Sequence, residues 1–100
     1  MGYRSLEKNR LNLGISVRTL RKQGDQLYFS IPSVYKEDAS VDYGVFVVVE
    51  MKRKGTWPIQ FTKRIIDIGG RFGVFIPKDV VDQYKLVAGQ KFDIDLELIF

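Results

Sequence analysis

Residues 68–78 read IGGRFGVFIPK, and residues 23–33 read QGDQLYFSIPS, the same frame 45 positions earlier. Gly24 aligns with Gly69, Ile31 with Ile76, Pro32 with Pro77 and, further on, Gly44 with Gly89. Scattered identities would carry little weight. These fall at two turns and one Ile-Pro junction, with similar residues between them: Leu27 and Phe72, Phe29 and Val74, Val41 and Leu86. A repeat of this length predicts two copies of one small folding unit. One hundred residues suit a single compact domain. Each half is too small to bury much surface alone, so the two are expected to share a core, as a dimer fused into one chain.

Outward from the glycine turns, the chain reads as strands. Ile15, Val17, Thr19 and Arg21 fall on one face of an extended segment; Arg18, Leu20 and Lys22 fall on the other. Gln23-Gly24-Asp25 turns the chain and Leu27 to Ile31 returns it. Pro32 ends that strand and suits the first turn of a helix, so 33–40 is read as a short helix or irregular turn. Val45 to Met51 is a third strand, and Lys52 to Gly55 a charged loop. The second copy repeats the order. Residues 57–68 are extended, Gly69-Gly70 turns, and Phe72 to Ile76 returns. Pro77 then opens a helix with Val80, Val81 and Tyr84 on one face. Phe92, Ile94, Leu96 and Leu98 alternate with Asp93, Asp95 and Glu97, a half-buried strand. The predicted organisation is one domain: a basic arm at 1–14, a first repeat at 15–55 and a second at 56–100.

Net charge is +4, and its distribution is blocked. Residues 1–22 balance to +5, 23–50 to −4, 51–71 to +5 and 72–100 to −2. The basic blocks recur with the repeat, as expected for a face that meets a polyanion. The chain has neither Cys nor His. That excludes disulfides, thiolate metal sites and thiol nucleophiles, and removes the commonest general base. Ser30, Ser33 and Ser40 have no evident base beside them, so no catalytic residue and no cofactor is expected. Asp93, Asp95 and Glu97 share a strand face but stand about 6–7 Å apart in succession, too far to hold one ion unaided; no metal site is assigned. Gly69-Gly70-x-x-Gly73 does not feed a helix, so it is read as hairpin geometry, not a phosphate loop. The longest fully apolar run, Val45 to Val49, is far short of a membrane span. With no Cys and no secretory signal, a cytoplasmic protein is expected.

The repeated order of strand, glycine turn, strand, Ile-Pro, helix, glycine turn and strand resembles the swapped-hairpin DNA-binding domains of the AbrB, SpoVT and MazE type. The resemblance rests on IGGRFGVFIPK and on the downstream YKLVAGQKFDIDLEL. It covers about residues 15–100 and is more specific in the second copy than in the first. It implies a mostly β, swapped-hairpin barrel formed by an intramolecular pseudo-dimer, and a small transcriptional regulator that grips double-stranded DNA. By that resemblance, DNA contact is expected from Arg18, Arg21, Lys22, Lys63, Arg64 and Arg71. Arg21 and Lys22 match the family's basic pair, whereas Ile66 and Asp67 hold those positions in the second copy. The family's arginine before Ile-Pro is replaced by Ser30 and Phe75. The DNA face is therefore expected to be asymmetric. The alternative is an antitoxin-like protein-interaction module. MazE-type antitoxins carry a long tail beyond the barrel, and this chain ends at Phe100 in its last strand.

Two further readings concern the surface. Lys52-Arg53-Lys54 is the densest basic run and is taken as a solvated loop. If Val47, Val49 and Met51 face the core, Phe46 and Val48 face outward, a surface for self-association or for cover by the basic arm.

Overall fold

The computed structural model describes residues 10–37 and 41–99. Among the described residues there are eight strands, one 3-10 turn and one α-helix. The strands are β1 (Arg10–Thr19), β2 (Arg21–Gln23), β3 (Gln26–Ser30), β4 (Phe46–Lys52), β5 (Ile59–Arg64), β6 (Ile66–Ile68), β7 (Arg71–Phe75) and β8 (Lys91–Ile99). The 3-10 turn is Ser33–Glu37, and α1 is Lys78–Tyr84. Counterpart elements start 45 residues apart: β2 and β6, β3 and β7, the 3-10 turn and α1, β4 and β8.

The protein is mostly β. Two antiparallel four-stranded sheets pair in the orders β1-β8-β4-β5 and β2-β3-β7-β6. Exchanging each strand for its repeat counterpart turns either order into its own reverse. Backbone bonds at the corners follow the same exchange. Leu20 donates to Gln90 and accepts from Gly89 (both 2.8 Å), as Ile65 donates to Val45 (2.9 Å) and accepts from Gly44 (2.7 Å). Ile31 donates to Phe72 and Ile76 to Leu27, both at 2.9 Å. Strand pairing yields two open sheets among the described residues, with no ladder closing them into one barrel.

The core lies between the sheets and inherits the repeat. Val47, Val49 and Met51 match Phe92, Ile94 and Leu96; Phe29 matches Val74, Leu20 matches Ile65, and all are buried. Each such side chain contributes about 1.5–3 kcal/mol relative to exposure. Both Ile-Pro junctions put their Ile into this core.

In β1 the face shared by Ile15 and Val17 is the outer one, each 60% exposed, while Leu13 and, just past the strand, Leu20 are buried. The register of β1 shifts between Asn12 and Gly14. Gly14 takes φ +83°, and its N–H donates to Asn12 Oδ1 at 2.6 Å. This bulge reverses the alternation that simple periodicity assumes. In α1, Val80 and Val81 pack on the core but Tyr84 is exposed. The helix has only seven residues and stops at Lys85, which is left-handed at φ 53°. Of the expected basic arm, residues 1–9 lie outside the described residues, as do 38–40 of the expected helix or turn.

Candidate nucleic-acid interface

Arg18 sits on edge strand β1 in register with Phe92, whose ring is in the core. The guanidinium therefore leaves β1 on the inner side and crosses to the other sheet. Its Nε donates to the Ser30 carbonyl at 2.8 Å and its Nη2 to Ser30 Oγ at 2.6 Å. Arg21 on β2 is in register with Tyr28, so both side chains share the outer face of that sheet. Arg71 opens β7, two residues before Gly73, which pairs with Ser30. The Arg18 pKa is held below the ordinary arginine value, first by burial and then by the positive charges of Arg21 and Arg71. Three arginines thus crowd one region. The ion pair between Lys52 and Glu50 lies on the other sheet, and no described carboxylate pairs with these arginines. Between Arg18 and Arg71 opens a cleft of about 420 Å³, lined also by Ser30, Pro32, Ser33 and Phe72.

Lys22 does not join this group. It is in register with Leu27, which is buried, so it leaves β2 on the face opposite Arg21. The expected Arg21–Lys22 pair is adjacent in sequence but divided in space.

The remaining two cations form a second site. Lys63 is the repeat counterpart of Arg18, and Phe75 is the counterpart of Ser30. The arginine-serine fork is therefore replaced by a lysine near an aromatic ring. Arg64 is in register with Phe46, and its guanidinium carbon lies 4.6 Å from that ring's centroid. Such stacking orients a cation without neutralising it. A cleft of about 290 Å³ is lined by Phe46, Thr62, Lys63, Arg64, Ile66 and Phe75. Phe75 also meets Tyr28 edge-to-face at 6.2 Å.

Ser30 and Phe75 stood out in the sequence only as replacements for an arginine, and Tyr28 did not stand out at all. The alternation in QLYFS carried the signal: with Leu27 and Phe29 inward, Tyr28 and Ser30 must face out. Phe46 and Val48 do point away from the core, Phe46 at 43% exposure, while Val47, Val49 and Met51 are buried. Lys52, Arg53 and Lys54 are exposed. Lys52 Nζ meets Glu50 at 3.0 Å, and Arg53 lies 5.5 Å from the Phe92 ring centroid. After Gly69-Gly70 the chain enters a strand, not a helix. Among the described residues no group of three or more acidic residues is arranged to hold a metal ion, and no helix is long and apolar enough to cross a membrane.

No protein-family model matches the chain, and no curated protein matches it. Among solved structures it is similar to the solution structure of PHS018 from Pyrococcus horikoshii, at 24% identity and a TM-score of 0.56. The match covers 88% of this chain and 89% of that one. At this identity the likeness is one of fold.

Proposed function

We propose that this chain binds double-stranded DNA as a small, cytoplasmic, pseudo-dimeric regulator related to the swapped-hairpin domains. The observation that carries the reading is the cleft between Arg18 and Arg71, with Arg21 near enough for its charge to act on Arg18 and no described carboxylate to neutralise them. Crowding like charges costs stability in the free protein, and a polyanion relieves it. Arginine forks suit phosphate oxygens, and Arg18 is already oriented by its two bonds to Ser30. The grip is asymmetric. One end of the pseudo-two-fold offers arginines and serines; the other offers Lys63 and Arg64 among aromatic rings.

The test is a salt titration of binding to random-sequence duplex. With Lys22 set apart, five candidate cations neutralise at most five phosphates. Log affinity should then fall with log salt at a slope of about −4 to −5. Arg21→Ala should weaken binding to every sequence and flatten the slope by about one. Lys22→Ala should change it less. The reading fails if the wild type does not bind duplex at low salt, or if Arg21→Ala and Lys22→Ala behave alike.

A further inference from the structure

The repeat makes an internal comparison possible. The second cleft is lined by Phe46, Thr62, Lys63, Arg64, Ile66 and Phe75. Their counterparts in the other half are Lys91, Val17, Arg18, Thr19, Arg21 and Ser30. Of six matched positions, one end of the molecule carries three cations, two hydroxyls and one apolar group, the other two cations, one hydroxyl and three apolar groups. A duplex backbone offers phosphate at both ends of a two-fold face and has no use for rings at one of them.

We infer that the aromatic cleft receives a single unpaired nucleobase, with Lys63 and Arg64 taking its flanking phosphate. The inference rests on the nucleic-acid reading above. The cleft volume of about 290 Å³ is roughly twice that of a cavity known to hold benzene, about 150 Å³, enough for one heterocycle. Phe46 keeps 43% of its surface open while one face stacks on Arg64. Phe75 is fixed in orientation by its edge-to-face contact with Tyr28. Rigid rings beside cations are the physical means by which proteins hold single strands, because every base offers a π-face to stack and every nucleotide a phosphate to pair. The edge of β5 places both kinds of group in one cleft, with Arg64 exposed and Lys63 half-buried.

The experiment compares three probes on the full-length protein at low salt: an oligothymidine strand, an abasic strand of the same length, and a duplex. The abasic strand keeps the phosphates and removes the bases. The oligothymidine should bind about 5- to 150-fold more tightly than the abasic strand, the stacking increment for one base. Phe46→Leu and Phe75→Leu should each bring that ratio toward one. Phe46 is partly exposed, so Phe46→Leu keeps the test open if Phe75→Leu fails to fold. Equal affinity for the oligothymidine and abasic strands overturns the inference and leaves the duplex reading standing. Absence of binding to all three probes removes both. If Phe46→Leu alters sedimentation of the protein but not the strand ratio, the ring serves self-association and the inference falls.

Discussion

Gly73→Ala is the sharpest test of the packing. Gly73 is buried in the middle of β7 and has no positive φ, so its backbone would accept any residue. The constraint is contact. A Cβ at this position would lie 2.5 Å from Ile68 Cδ1, 2.9 Å from Cγ1 and 3.3 Å from Cβ. Ile68 is 7% exposed, and β-branching leaves its χ1 little freedom to swing away. Replacing a strand glycine gains about 0.5–1 kcal/mol of backbone entropy. Overpacking costs about 1–3 kcal/mol. The net expectation is a loss of about 1 kcal/mol, seen as a melting temperature lowered by about 4–8 °C.

The sign should reverse in an Ile68→Ala background. There the clash is gone and only the entropy gain remains, so Gly73→Ala should stabilise by about 0.5–1 kcal/mol. Urea denaturation of the four proteins in the cycle measures both numbers. A neutral or stabilising Gly73→Ala in the wild type, or an equal cost in both backgrounds, would refute the argument that Ile68 occupies the space. The repeat offers a natural contrast. The counterparts of Ile68 and Gly73 are Gln23 and Tyr28, so the bulk sits on the other strand.

Two further predictions follow from the strand pairing. Among the described residues the ladders β1–β8, β4–β8, β4–β5 and β3–β7 join one repeat to the other, and only β2–β3 and β6–β7 lie within a repeat; residues 1–55 and 56–100 made separately should therefore lack a cooperative melt and regain it on mixing, and a single half that melts cooperatively as a monomer would sink the shared core. Asp95 is directly opposite Glu50, and its Oδ1 is buried without a hydrogen-bond partner; Asp95→Thr should raise stability by about 0.5–1 kcal/mol, visible as a higher urea midpoint, and an unchanged or lower midpoint would show that the like-charge contact is already relieved.

The fold was legible where local chemistry repeated. Glycine turns, Ile-Pro junctions and the alternation of Phe92 to Leu98 each mark an element, and their recurrence at one spacing located the second copy of each. What alternation could not reveal was its own interruption. The bulge at Gly14 needs one extra residue, and no periodic reading of Ile15 and Val17 contains that information. Alternation did place Arg21 and Lys22 on opposite faces, although the family resemblance ranked them as a pair.

The candidate site was legible as a list of cations but not as an arrangement, because the arrangement is made by contacts distant in sequence. Ser30 is 12 residues from Arg18 and is its hydrogen-bond acceptor. Arg71 comes from the other repeat yet lowers the Arg18 pKa. Here the repeat has a physical consequence. In a symmetric dimer of identical chains, a substitution at the Ser30 position would appear at both ends, and the fork and the aromatic cleft could not coexist. Joining the halves in one chain frees each end to change alone, provided the buried pairs that hold the sheets together stay apolar. The core pairs have done so, from Leu20 and Ile65 to Met51 and Leu96. The positions at the ends of the pseudo-two-fold have not, since the counterpart of Ser30 is Phe75 and that of Arg21 is Ile66. The halves have thus diverged at two related clefts over core pairs that stayed apolar, which leaves each end free to carry its own surface chemistry.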